Sequence, residues 1–283
     1  LDRARIWAKE RTFRVGVHLL RGLADAETAG QQYADVAGAV LRALWPVVVA
    51  AFAVKHGAPP GRGAAVVAMG SLGAGRLTAT SDLDLIVVFD AGDDESSDGP
   101  RPLATRPYFA RLTQALVTAV SAPTAEGRLY QVDMRLRPSG RQGPVATALT
   151  AFKSYQSDEA WTWEHLALTR ARPIAGAGVI GEDVEAFRQQ LLSRDKARAK
   201  TLNDIADMRA RLATLKAAES TLAPKSGPGG LQDIELFAQS ATLLQGVAAR
   251  DIDTQLMQAG SAFDLSDADQ ALGRLERAYQ LSI

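Results

Sequence analysis

The sequence predicts an α+β fold in which a small mixed β-sheet with packed helices is followed by a helical bundle lobe. Three features point to it. Apolar residues recur at three- and four-residue steps up to residue 55, two short apolar runs and one alternating segment lie between residues 64 and 137, and helical periodicity dominates beyond about Thr147. The change of pattern divides the chain into residues 1–145 and residues 146–283. A length of 283 residues suits about two domains.

The elements follow in order. Helical spacing runs from Arg5 to about Leu23, carried by Ile6, Phe13, Val17 and Leu20, and again from Gln31 to Lys55, where Pro46 is expected to kink or split the helix. The segment His56-Gly57-Ala58-Pro59-Pro60-Gly61 reads as a helix stop and a turn. Ala64–Met69 and Leu83–Phe89 are short apolar runs of the kind that make buried strands, with a glycine-bearing loop between them. Residues 93–102 are acidic and rich in Ser, Gly and Pro, which predicts an exposed loop, and Tyr108–Val120 returns to helical spacing. From Gly127 a further strand is predicted, with Tyr130, Val132, Met134 and Leu136 on one face and Gln131, Asp133, Arg135 and Arg137 on the other. The remainder reads as helices, broken by the turn Gly227-Pro228-Gly229-Gly230.

Composition narrows the chemistry. Hydrophobic residues make up 47% and charged residues 23%, the balance of a chain that buries a core. Lys and Arg number 32, as do Asp and Glu, so the basic excess of a nucleic-acid binder is missing and no nucleic-acid partner is expected. Cysteine is absent, which excludes disulfides, thiolate nucleophiles and Cys-based zinc sites, and fits a reducing, cytoplasmic setting. Three scattered histidines leave hard, oxygen-bound cations as the metals to expect. The longest apolar run, Val47–Val54, is short of the ~20 residues of a membrane helix, so no membrane partner is expected. The first residue is Leu1 and apolar periodicity still runs at Tyr279–Ile283, which suggests a piece of a longer polypeptide.

The stretch with chemical content is Gly70-Ser71-Leu72-Gly73 followed by Ser81-Asp82-Leu83-Asp84. Asp82 and Asp84, two apart at a strand head, send both carboxylates to one face, and a divalent cation relieves their repulsion. Gly70 permits close backbone approach and Ser71 offers a hydroxyl and an N–H to a phosphate tail. Asp133 is the candidate third carboxylate, with Arg135 and Arg137 beside it as bidentate phosphate partners. Three such carboxylates can hold two Mg²⁺ ions roughly 4 Å apart, one on the attacking oxygen and one on the leaving phosphate. Each signal alone has a plainer reading: Asp-x-Asp as a turn or cap, Asp133 as an internal salt bridge. Together they favour a nucleotidyltransferase site with Asp82, Asp84 and Asp133 as catalytic metal ligands and Gly70, Ser71, Ser81, Arg135 and Arg137 on the nucleotide.

The combination of Gly70-Ser71, Asp82-x-Asp84 and Asp133 resembles the DNA polymerase β-type nucleotidyltransferase superfamily. Val132-Asp133-Met134-Arg135-Leu136-Arg137-Pro138-Ser139-Gly140, residues 159–172 (EAWTWEHLALTRAR) and Gly229-Gly230-Leu231-Gln232-Asp233-Ile234-Glu235 are similar to glutamine synthetase adenylyltransferase, over nearly the whole chain. That family has two related catalytic halves, one attaching AMP to a tyrosine of glutamine synthetase and one removing it by phosphorolysis. Arg-Pro-Ser-Gly and the double-tryptophan segment look like the attaching, C-terminal half. The resemblance implies ATP as substrate, two Mg²⁺ ions, glutamine synthetase as protein substrate, a PII-type regulator, and a nucleotidyltransferase domain over residues 1–145. Ser71 stands where many members of the family have Lys, which puts in question how the phosphate tail is neutralised; Arg76, Arg135 and Arg137 are the substitutes considered. Rival readings are AMP removal, a non-catalytic docking module for glutamine synthetase or PII, and a small-molecule nucleotidyltransferase.

Further residues draw attention at a lower level. Trp161 shares a helical face with His165 and Leu168 and reads as core. Glu164, Arg170 and Arg172 are charges that packing explains less readily. Asp233 and Glu235 suit a helix start, and Lys225 reads as a solvated loop lysine.

Overall fold

The computed structural model of the chain describes residues 1–283 apart from 195–196, 216–226, 228, 247 and 264–283. Lys225 and the apolar segment at 279–283 lie outside the described residues. Two compact units are formed, Leu1–Glu159 with Ala171–Phe187, and Ala160–Arg170 with Arg188–Ile283.

The first unit is a mixed α+β assembly. Strands β1 (Gly63–Ala68) and β2 (Leu83–Asp90) pair antiparallel, with Val66 opposite Val87 and Ala68 opposite Leu85. Both are buried almost throughout, as expected of short runs of branched and small apolar residues with no polar face. Two-residue β3 (Val132–Asp133) and β4 (Ala146–Ala148) run parallel to β2 along its other edge, and β5 (Arg172–Gly176) lies antiparallel to β1. The small mixed sheet expected from the sequence is present. β4 and β5 were not expected and fall beside the expected helices, because strands of three and five residues are too short for their period to stand out.

Helices α1 (Asp2–Leu20), α2 (Ala26–His56), α3 (Gly70–Ala74) and α4 (Thr105–Ser121) belong to this unit, as does α5 (Leu149–Asp158). α2 begins at Asp25, whose carboxylate accepts the Thr28 N–H at 2.8 Å, and it continues unbroken past Pro46. The expected split does not occur: Pro46 stands on the exposed side, where its missing N–H and the carbonyl it frees face solvent. α2 has the length and composition of a membrane span, yet its inner face, including Val40, Leu41 and Leu44, is buried with α4 and one face of the sheet in a single core. Within that core Phe109 of α4 stacks on Phe89 of β2 at 4.3 Å between ring centres, and Tyr108 donates its hydroxyl to the Gly57 carbonyl at 2.9 Å.

α1 departs from its expected orientation. Phe13 and Leu20 are 74% and 89% exposed, and the helix buries Arg5, Ala8 and Val15 instead. Arg5 sets this rotation by donating to the Ala119 carbonyl at 2.9 Å, near the C-terminal end of α4, where carbonyls lack intrahelical partners.

The described part of the second unit carries α6 (Thr162–Leu168), the end of α7 (Gly178–Leu192), α8 (Arg198–Leu215), α9 (Leu231–Gln245) and α10 (Ile252–Phe263). Leu166, Leu192 and Leu243 form one of its apolar clusters. The buried Arg188 donates to the carbonyls of Leu168, Thr169 and Ala248, so it pins the end of α6 to the segment after α9.

Truncating Phe109 to Ala removes a fully buried ring and its stacking partner, and a loss of about 3–5 kcal/mol is expected in urea denaturation.

Candidate active site

The antiparallel turn from β1 to β2 brings the two ends of the sequence signal together. Met69 follows β1 and donates its N–H to the Asp84 carbonyl at 2.8 Å, so the Gly70 backbone passes directly over the Asp84 side chain. Gly70 has φ +52°, and a Cβ there would lie 2.3 Å from Oδ2 of Asp84. Only glycine meets both demands. The following segment is a single helical turn, Gly70–Ala74, rather than an open loop, closed by Gly75 in the left-handed region. Ser71 is exposed on it.

Asp133 reaches the same place from β3. It is the parallel register partner of Asp84, as Val132 is of Leu83, so the two carboxylates rise from neighbouring strands. Asp82 stands just before β2 and is exposed, while Leu83, Leu85 and Val87 fill the core face as expected. Ser81 closes the turn ahead of Asp82, its hydroxyl oxygen accepting the Thr78 N–H at 2.9 Å.

The arginines are placed differently from the sequence expectation. The strand expected to run past Leu136 ends at Asp133. Asp133 itself ends it: its Oδ1 accepts the Arg135 N–H at 2.8 Å and its Oδ2 accepts from Arg135 Nε at 2.6 Å, which curls the backbone into a turn. Arg135 and Arg137 therefore do not share a strand face with Asp133. Arg137 donates to the carbonyls of Met134, Arg141 and Gly143 and so staples the turn. Arg76 is buried and paired with Glu27 at 2.7 Å.

Electrostatics tie these groups together. Burial pushes the Asp133 carboxyl up, but the hydrogen bonds and charge of Arg135 outweigh it and hold the group below the usual carboxylate range. The Arg135 guanidinium is pushed up, first by its bond to Asp133 and then by the charges of Asp133, Asp84 and Asp82, so all three carboxylates act on one cation. Among the described residues no three carboxylate or histidine side chains converge into a finished metal cage, and Asp133 is turned to Arg135. The donor chemistry nevertheless fits a hard divalent cation: the carboxylates supply oxygen only, Asp84 and Asp133 share a register position, and the missing Cβ of Gly70 leaves room at Oδ2 of Asp84.

The second-level residues resolve into structural partners. Trp161 is 69% exposed rather than core, because α6 starts only at Thr162 and leaves it at the N-cap. Glu164 is buried and accepts the Trp161 N–H at 3.0 Å; Arg170 is buried and paired with Glu235 at 2.9 Å. Asp233 accepts the Gly229 N–H at 2.8 Å at the head of α9 and pairs with Arg209. Arg172, the third of the charges that packing explained less readily, is exposed at the start of β5 and donates from Nε to the Gly73 carbonyl at 3.0 Å.

Replacing Gly70 by Ala is expected to destabilise the first unit by about 1–3 kcal/mol, from the left-handed backbone and the collision with Asp84. Equilibrium denaturation against an Ala substitution at the exposed Ser71 measures it.

Comparison with known proteins adds lineage to this geometry. Residues 1–187 match the family model described as glutamate-ammonia ligase adenylyltransferase. The chain is 48% identical over 250 residues, 88% of its length, to the bifunctional glutamine synthetase adenylyltransferase/adenylyl-removing enzyme of Mesorhizobium japonicum. It is 44% identical to the Rhizobium meliloti protein of the same name over 99% of its length, and 42% identical to that of Bradyrhizobium diazoefficiens over 89%. It spans only 25% to 30% of the length of these relatives. With a family match over residues 1–187 and identities of 42% to 48% over most of its length, the chain belongs to the glutamate-ammonia ligase adenylyltransferase family.

Proposed function

We propose that this chain transfers AMP from ATP to a tyrosine of glutamine synthetase, the adenylyl-attaching half of the pair of activities named for its relatives. The observation that carries the reading is the meeting of Gly70, Asp84 and Asp133 at one end of the sheet, with Asp82 beside them. The Arg137-Pro138-Ser139-Gly140 turn and the Trp161/Trp163 segment, which resemble the attaching half, favour it over AMP removal. On this reading the first unit is a polymerase β-type nucleotidyltransferase core and the second a helical lobe. The setting is cytoplasmic, a PII-type protein is the regulator, and neither nucleic acid nor membrane takes part.

On this reading each residue has a role. Gly70 lets the backbone approach a triphosphate, and Ser71 adds a hydroxyl to cradle the β- and γ-phosphates. Asp82, Asp84 and Asp133 would hold two Mg²⁺ ions, which when bound neutralise phosphate charge and polarise the reacting oxygens. Ser81 sets the approach of Asp82 by closing the 78–81 turn. Arg135 meets the phosphates next to Asp133, and Arg137 holds the turn that carries it. A phenol with a pKa near 10 keeps its proton at neutral pH, so a carboxylate of this cluster accepts that proton as the oxygen attacks. The phenolic oxygen bonds to the α-phosphorus in line, the bond to the β-phosphate bridging oxygen breaks, and pyrophosphate leaves from the Gly70–Ser71 side.

Incubation with Mg²⁺, ATP labelled at the α-phosphate and unmodified glutamine synthetase tests this directly. Label is expected on the protein, with a loss of about a hundredfold or more in Asp82→Asn and Asp84→Asn while melting temperatures hold. Transfer retained in both variants defeats the assignment. Phosphate-dependent release of AMP from modified glutamine synthetase, without transfer, assigns the removing activity instead.

A further inference from the structure

On the reading above Asp133 holds a divalent cation, yet both of its oxygens are already engaged by one residue. Oδ1 accepts the Arg135 backbone N–H at 2.8 Å, and Oδ2 accepts from Nε of Arg135 at 2.6 Å and from its Nη2. The two oxygens have different tasks. The bond to Oδ1 belongs to the backbone turn that ends β3, and it does not depend on the Arg135 side chain. The bonds to Oδ2 add nothing that the turn lacks, because Arg137 already clamps it through the carbonyls of Met134, Arg141 and Gly143.

The side-chain pair is also lopsided. Asp133 is 19% exposed and Arg135 is 64% exposed, so the guanidinium can leave by rotating into solvent while the backbone bond keeps the carboxylate where it is. Ion pairs with an exposed partner are weak, since water competes for the charge. Each half has a stronger competitor in a nucleotide site: a hard divalent cation for the carboxylate oxygen, and phosphate oxygens for the planar guanidinium fork. The charges of Asp84 and Asp82 act on Arg135 as well, so its guanidinium stands in the field that would otherwise draw a metal ion. An arginine so placed fills the cation's position with a charge the protein supplies itself.

We propose that Arg135 is the resident counter-ion of Asp133: its guanidinium holds Oδ2 until nucleotide phosphates draw it away, so the site resists a divalent cation alone and takes cation and nucleoside triphosphate together. The inference rests on the nucleotide-binding reading above and adds to it the coupling between the two ligands.

Calorimetric titration in two arms tests it, each arm with a control for charge. In the first, Mn²⁺ alone is titrated into the wild type, Arg135→Gln and Arg141→Gln. The Arg141 side chain makes no hydrogen bond or ion pair among the described residues but its charge reaches Asp133, so removing it measures charge without a bond. Arg135→Gln should bind Mn²⁺ about tenfold more tightly than the wild type, and Arg141→Gln less than about threefold more tightly. In the second arm, ATP in EDTA is titrated into the wild type, Asp133→Asn and Asp82→Asn. Asp133→Asn keeps an oxygen for the Arg135 N–H but releases the guanidinium, and should bind metal-free ATP about tenfold more tightly, against less than about threefold for Asp82→Asn. Both variants of the pair leave the backbone bond in place, and wild-type melting temperatures check that the turn persists. Equal gains for the bonded residue and its control, or no gain at all, overturn the counter-ion role and leave the nucleotide site standing. A chain that binds neither Mn²⁺ nor ATP in any of these forms, nor the two together, removes this inference and the nucleotide-binding reading at once.

Discussion

The antiparallel register between β1 and β2 is the constraint on which the site depends. Placing Ala68 opposite Leu85 forces the chain that leaves β1 to turn over Asp84, and the Met69 N–H bond to the Asp84 carbonyl locks the turn in place. The register is secured by burial on both faces of both strands, so a slip of one residue would carry Val66, Val87 and their neighbours away from the packing they fill. Gly70 answers the demand this register creates, which explains a glycine where helix propensity alone argues against one. The candidate site is thus tied to two strands buried on both faces, where carboxylates can be held in place without a support of their own.

Much of this was legible because it is local. The runs 64–69 and 83–89, the helix over 108–120 and the Gly70/Asp84 pairing of motifs all lie within a few residues of the signals that mark them. Expectation failed where a single polar contact decides. The alternation from Tyr130 to Arg137 looks like a strand, yet Asp133 turns its carboxylate to the backbone and side chain of Arg135, and that bond ends the strand after two residues. The α1 pattern gives Ile6, Phe13 and Leu20 as an apolar face, but Arg5 finds carbonyls on α4 that rotate the helix away from it. Neither outcome can be read from periodicity, because each turns on one polar group with a better partner than the pattern allows for.

The residues that make the motifs recognisable divide into two kinds when their contacts are compared. Glu164, Arg170, Asp233 and Glu235 are absorbed in caps and ion pairs within the second unit: Glu164 on the Trp161 N–H, Arg170 on Glu235, Asp233 on Gly229 and Arg209. Arg170 and Glu164 are buried, and a buried charge that loses its partner is costly, so mutual dependence alone accounts for their joint presence. Asp82, Asp84 and Asp133 have the opposite character. They place like charges side by side at a strand end, where the guanidinium of Arg135 is the cation they act on most directly.

That contrast bears on what the first unit is built to do. A left-handed glycine set against a carboxylate raises the energy of the folded chain, and the register pairing of Asp84 with Asp133 adds like charge that needs a cation to relieve it. The cost is offset only when a cationic group or ion shares the site. Arg76 and Arg137 are consumed by the fold, Arg76 by its pair with Glu27 and Arg137 by the carbonyls of the turn it holds. Carboxylates from β2 and β3 beside an uncharged glycine-bearing turn are an arrangement with little structural value. On the nucleotide-transfer proposal, its value lies in receiving phosphate oxygens together with the cations that accompany them.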